Sequence, residues 1–308
     1  MIGRDASRRG RSGVWGFAVA GLGLACSAWA TPAPAGELRD AVPEDAVLYA
    51  EGRDLADGWD RFAATALGAA ARAGLETLGA AEGIAAQRAA FEEAFGVPLD
   101  ALLRGAVGRR AALAVRMPPD AEPEGGILFA SPEPGWLAER VVRIWEAERA
   151  KEGFALEETG DYGGARCFRK VENGKTEFVA LRGDFLAVSG QRPFLEAVLD
   201  RASGTVLSAL PSNPRFQAAA GGLPDGVAFA GFLDGVGLAR AVPWGRIRNM
   251  GEREQIFLAR RVKPYLDAME WAALGVLPDP GGWSAARLHV AFDPARLPGG
   301  ALPAAGGQ

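Results

Sequence analysis

Histidine occurs once in the 308 residues, at position 289, and cysteine twice. The lone imidazole sits in the alternating run RLHVAF as an ordinary strand residue. Catalytic triads that use histidine, and zinc sites with several histidine ligands, are therefore excluded. Lysine is nearly as scarce: Lys151, Lys170, Lys175 and Lys263 are all there are, and none stands in an apolar stretch. Ser131, Ser189 and Ser203 lack the Ser-x-x-Lys context of serine-lysine hydrolases. No phosphate-binding loop of the Walker type is present, and the glycines of LPDGVAFAGFLDGVG read as turns.

Cys26 falls in the N-terminal leader, so a processed chain keeps only Cys167 and forms no internal disulfide. A chain of this length can bury enough surface to fold without one. Cys167 lies in the strand-like ARCFRKV and reads as a buried thiol rather than a nucleophile.

The leader itself has three parts. Arg4, Arg8, Arg9 and Arg11 face a single Asp5, Val14 to Ala25 is apolar and uncharged, and Ala28-Trp29-Ala30 supplies a small-x-small site. That order describes a secretory signal peptide over residues 1–30. Its apolar stretch falls short of the roughly 20 residues that span a bilayer. Two weaker alternatives are lipidation at Cys26, where Gly23 replaces the usual leucine of a lipobox, and twin-arginine export through Arg8-Arg9. Removing the leader takes the formal net charge from −4 to −7. An acidic chain is no nucleic-acid binder, since those need clustered Lys and Arg.

Residues 31–41 open with TPAPAG and are expected to be a flexible leader into an α+β domain over residues 42–293. Within it, VLYAEGRDLADGWDRF, GILFASPEPGWLAERVV and VAFAGFLDGVGLARAV each read as a strand, a corner and a helix start. Alanine-rich helices are expected at 56–81 and 85–95, a return strand at 111–116, and a further helix around 136–150 whose Leu137, Val141, Ile144 and Trp145 form a helical stripe. Between Phe154 and Ser189 strands take over. Asn173-Gly174 marks one hairpin, and Arg182-Gly183-Asp184 is a turn rather than an adhesion motif. Helices follow at 193–201 and 215–220. A long amphipathic helix is expected from Gly251 to Leu277, with a kink or a boundary at Pro264, then a last strand at 284–292 and a disordered Pro/Gly/Ala tail over 294–308. Strand-helix units mixed with hairpins predict a largely antiparallel sheet with helices packed on one face. The degenerate units leave room for two pseudo-similar halves.

PEDAVLYAEGRDL, GVPLDALLRGAVGRRAALAV, ILFASPEPGWLAERV, DYGGARCFR, FVALRGDFLAVSGQRPFLEAVLD and LSALPSNPRFQAAAGGLPDGVAFAGFLD follow one another in order. That order resembles the exported bacterial family catalogued as domain of unknown function 3352, over about residues 42 to 242. Arg104-Gly105 and Val107-Gly108 stand where the family has Leu-Gly, a modest departure. The resemblance implies export and fold; it brings no activity, cofactor or site residues.

Acids are plentiful, among them Glu92, Glu93, Glu157, Glu158 and Asp161, but the sequence pairs none of them across a cleft. One basic segment stands out between Trp244 and Lys263. Arg246, Arg248, Arg260, Arg261 and Lys263 are its candidate anion-binding residues, with an anionic lipid or acidic envelope polymer as partner. The reading with most support is a non-enzymatic exported protein, periplasmic or extracellular, that binds or serves as a structural element of the bacterial envelope. The alternative is a carboxylate-based hydrolase acting on envelope material. No cofactor is expected in the first case.

Overall fold

The structure is a computed structural model. It describes residues 37–54, 110–118, 121–131, 153–172, 174–183, 185–241, 262–277 and 285–297, and scattered positions at 57–101, 141–149 and 260. Ten strands are described: β1 (Ala46–Arg53), β2 (Arg110–Arg116), β3 (Glu124–Ala130), β4 (Phe154–Tyr162), β5 (Ala165–Glu172), β6 (Lys175–Arg182), β7 (Phe185–Ser189), β8 (Phe229–Asp234), β9 (Met269–Leu277) and β10 (Ala285–Phe292). Four described helices accompany them: α1 (Arg192–Ala202), α2 (Pro214–Gly221), α3 (Gly235–Ala241) and α4 (Lys263–Ala268).

All ten strands join one sheet in the order β10-β9-β8-β1-β2-β3-β7-β6-β5-β4, and every neighbouring pair is antiparallel. The α+β class and the antiparallel sheet are as the sequence predicts. The three strand-helix units open with β1, β3 and β8. The order also reads symmetrically about the β1–β8 pair. On each side comes a strand, a long connection with helical positions, and an antiparallel pair of strands, β2–β3 or β9–β10.

The 154–189 region is a meander for a local reason. Gly163 and Gly164, with φ of 59° and 75°, turn β4 into β5. Gly174, with φ of 77°, closes the Asn-Gly hairpin between Glu172 and Lys175. Two-residue turns of positive φ match the right-handed twist of paired strands, and glycine adopts them at no steric cost.

The main core lies between the sheet and α1 and α2. Phe194, Leu195, Val198 and Leu199 form the buried stripe of α1, and Phe216 and Ala219 that of α2. The sheet meets them with Ala112, Ala114, Ala180, Ala187 and Ala273, small side chains that leave the helices room. Gly126 takes this furthest. A Cβ there would come 2.5 Å from the Val188 carbonyl oxygen and 2.9 Å from the Phe194 ring. The opposite face carries a second cluster, which adds to the single helical layer expected. Val141 and Trp145, one helical turn apart, pack on Phe168, Val179, Leu181 and Leu186, with the Trp145 and Phe168 ring centroids 4.9 Å apart.

Several boundaries differ from the sequence reading. Leu38–Ala41, placed in the flexible leader, form a 3-10 turn whose Leu38 and Ala41 are buried in the main core. The long helix to Leu277 ends at Ala268. Met269–Leu277 is instead β9, inserted between β8 and β10. Its Ala and Leu content favours helix locally, but two flanking ladders outweigh propensity there. Pro264 stands in the first turn of α4, just after the helical positions Arg260 and Val262, so it marks a boundary between helical segments. At the tail, Asp293 accepts from the Ala295 N–H at 2.9 Å and pairs with Arg296 at 3.1 Å, so the residues just after β10 are folded back as a turn. The rest of the tail and the leader before Glu37 lie outside the described residues. Described positions from 57 to 92 are helical except Thr65, in line with the two helices expected there.

Gly126→Ala is expected to destabilise the fold by about 2 kcal/mol, since backbone rather than a flexible side chain blocks the added carbon. A urea unfolding series measures it through the shift in midpoint at unchanged slope.

Candidate functional site

β1 is a middle strand, and its alternate residues Tyr49, Glu51 and Arg53 point to the α2 side of the sheet. The cross-strand neighbours of Glu51 are Ala112 on β2 and Ala230 on β8, so nothing large fills the space beside it. Above, Phe216 and Ala219 of α2 and Leu223 in the loop that follows form a roof. Between roof and sheet lies a cavity of about 320 Å³. Gly275 on β9 keeps the roof low: a Cβ there would come within 3.0 Å of Leu223 Cδ2. Phe216 sits edge-on between Tyr49 and Phe232, with centroids 6.0 and 5.2 Å away.

Glu51 is 1% exposed. Burying a carboxylate is costly unless hydrogen bonds and charges compensate it. Here the Tyr49 hydroxyl donates to Oε2 at 3.0 Å and Arg53 Nη2 donates to the same oxygen at 3.1 Å. The other oxygen, Oε1, is buried and accepts no hydrogen bond; Arg110 Nε stands 3.9 Å from it on β2. Glu37 stands at the mouth of the cavity. It is ion-paired with Arg39, with Arg53 at 3.5 Å and with Arg110 at 3.8 Å. Arg53 and Arg110 thus each lie between the inner and the outer carboxylate.

Burial pushes the Tyr49 phenol well above its usual value, and the adjacent Glu51 charge pushes it the same way. Burial opposes the charge of Arg53, but its hydrogen bond to Glu51 and the charges of Glu51 and Glu37 outweigh that and hold it above the ordinary arginine value. The cavity therefore offers an apolar roof, a neutral phenol, one open carboxylate oxygen on its floor and, beside it, the buried and equally unbonded Nε of Arg53. Such a site accepts a hydrogen bond from a ligand with an apolar body.

A second hollow, about 580 Å³, lies at the start of α2 and contains Glu44, Asp45 and Arg240. Its buried polar groups are satisfied internally. Arg215 grips Asp234 through two bonds of 2.8 and 2.7 Å, and Asn213 caps α2 by accepting from the Arg215 and Phe216 N–H groups. Its Nδ2 in turn donates to the Glu44 carbonyl at 2.9 Å. These are structural bonds that fix α2 against β8.

None of the described acids named from the sequence, Glu92, Glu157, Glu158 and Asp161, lines the cavity. Glu157 and Glu158 pair with Arg169 and Arg166 at 3.4 and 3.0 Å on exposed β4, and Glu92 pairs with Arg88 one helical turn away. Asp161 lines a hollow of only about 50 Å³ beside Cys167, whose thiol burial pushes up, away from the nucleophilic form. Glu93 lies outside the described residues. Of the basic segment, Arg246, Arg248 and Arg261 also lie outside them. Arg260 is exposed, and Lys263 is held by Asp267 in α4. The structure brings no anion site together from these two. Lys170 corrects the sequence reading in another way: it is 1% exposed, bound to Glu172 at 2.7 Å and Glu177 at 3.4 Å, with the Phe154 ring beside it. His289 is half-buried on edge strand β10 near Gly222. No group of three or more potential metal ligands occurs among the described residues.

Sequence reasoning passed over Glu51. The available signal was Tyr-x-Glu-x-Arg inside an otherwise apolar strand, which puts three polar groups on one buried face.

No family model matches the chain, and no curated protein matches it. Solved structures that resemble it include crystal forms III and I of TP0453. The first is 9% identical with a TM-score of 0.40, covering 83% of this chain and 80% of that one. The second is 10% identical with a TM-score of 0.38, covering 84% and 79%.

The neutral phenol is the form the folded site holds. As pH rises past about 10 the unfolded chain gives up this proton first, so stability falls from there upward. Tyr49→Phe is expected to start less stable by about 1 kcal/mol, through the lost hydrogen bond to Glu51, and to lose less between pH 9 and 11. Urea midpoints of both proteins across that range measure the difference, in which the titrations of all other groups cancel.

Proposed function

We propose that the protein is an exported, non-enzymatic binding protein of the bacterial envelope, and that the cavity over Glu51 is its ligand site. The observation that carries this reading is the open Oε1 of a fully buried carboxylate on the cavity floor. Buried polar atoms are nearly always hydrogen-bonded, and one left open in a cavity calls for a donor from outside the chain. The ligand that fits is a small molecule with an apolar body, for Phe216, Leu223 and Phe232, and an ammonium or hydroxyl head for Glu51. Export rests on the leader and on a residue order that resembles the family of domain of unknown function 3352. No helix among the described residues is long and apolar enough to cross a membrane. The hydrolase alternative draws less support, since Glu92, Glu157 and Glu158, three of the acids named for it, are each paired with an arginine.

A thermal-shift panel tests the site with tyramine, phenethylamine and cyclohexylmethanol as donors and phenylacetate as the mismatched acid. At ten times its dissociation constant a binder stabilises by about 1.4 kcal/mol, a rise of about 2 °C in a chain of this size. The donors are expected to bind wild type, and phenylacetate is not. Glu51→Ala, and Ala220→Leu at the cavity wall, are expected to abolish the shift. No shift with any donor, or an equal shift in both variants, overturns the reading.

A further inference from the structure

A single antiparallel sheet has two edges, and here they differ in kind. β4 is blunted as edges commonly are: Glu157, Glu158 and Asp161 are exposed along it, and its ladder to β5 shifts register between Glu158 and Gly160. β10 also has a register shift, in its ladder to β9 between Ala291 and Phe292, but it carries no carboxylate. Its eight residues, AARLHVAF, carry one charge outside His289, and no described strand pairs with its outer side. Leu288 is 68% exposed and Val290 39% exposed on one face of it. A long, apolar edge without acidic side chains is a template for another strand.

The order of residues about Val290 points to which strand. We propose that β10 pairs antiparallel with β10 of a second copy of this chain, with Val290 on the two-fold axis. In that register a residue n places before Val290 meets the residue n places after it in the other copy. Val290 meets its own counterpart, and exposed Leu288 meets Phe292 of the second copy. His289 meets Ala291, so no imidazole faces another or faces Arg287. Arg287, exposed on β10, meets Asp293 of the second copy, and the symmetry makes this pair twice. The Asp293 carboxylate already takes the Ala295 N–H on Oδ1 and Arg296 on Oδ2. Two oxygens with about four lone-pair sites leave room for a further guanidinium. Apolar residues thus oppose apolar ones, and the single fixed positive charge opposes a negative one. The same operation applied to β4 crowds acid against acid. Self-complementarity of this kind is what an isologous two-fold interface needs. It would join two sheets of ten strands into one.

Sedimentation velocity of the chain from Thr31 onward, at roughly micromolar to 200 µM, reads the association directly. A concentration-dependent dimer is expected. Val290→Lys sets two ammonium groups against each other on the axis and is expected to give a monomer with an unchanged melting temperature. Arg287→Asp and Asp293→Arg are each expected to weaken the dimer about tenfold, and the double exchange to restore it to within about threefold. Val290→Cys is expected to form a covalent dimer under mild oxidation. A monomer at every concentration overturns the proposal. So does a dimer that survives Val290→Lys, or one that both charge variants weaken and the double exchange does not restore. None of these outcomes depends on occupancy of the Glu51 cavity, which lies on β1, two strands inward from β9.

Discussion

A carboxylate held out of water in the middle of the sheet sets the terms for everything around it. Glu51 cannot stay buried unless its charge is met, and β1 meets it with its own Tyr49 and Arg53 two residues either side. That arrangement then constrains the neighbours. β2 supplies Arg110 behind Oε1, and the residue after the leader, Glu37, balances the surplus of arginine at the rim. The 3-10 turn Leu38–Ala41 keeps Glu37 there by burying Leu38 and Ala41 in the main core. The turn at the first described residues and the polar group at the centre of the sheet therefore belong to one network. Removing one partner from such a network leaves an uncompensated charge behind, a larger loss than the contact itself.

Small side chains decide where that network has space. α1 and α2 come close to the sheet because alanines line the facing strands and Gly126 lies under Phe194. The same smallness at Ala112 and Ala230 leaves Glu51 unroofed by its own sheet neighbours, so the roof comes from α2 and Leu223. Asn213 and the Arg215–Asp234 pair fix the start of α2, and so fix the height of that roof. Cavity and core are products of one packing rule applied with different residues above.

Features set by near neighbours were legible in the sequence. The strands that open the three units became β1, β3 and β8, and a hairpin joins Glu172 to Lys175 through Gly174, because each depends on a few adjacent residues. β9 was not legible: MEWAALGVL carries helix-forming alanine and leucine, and only its place between β8 and β10 makes it a strand. The site was half legible. Tyr49, Glu51 and Arg53 show themselves by two-residue spacing. Arg110, Glu37 and Phe216 reach the site through strand pairing and helix docking that no local pattern encodes. Lys170 was misjudged for the same reason, since its burial comes from the cross-strand Glu177 and the ring of Phe154.

The claim on which this account turns is that the open oxygen of Glu51 waits for a donor from outside the chain. A crystal structure of the protein purified without refolding from its native source tests that claim most directly. The account predicts a non-water group filling the space under Phe216 and Leu223, with a donor atom about 2.7–3.2 Å from Oε1. A single ordered water on Oε1, bridging to Arg110 in an otherwise closed cavity, would contradict it.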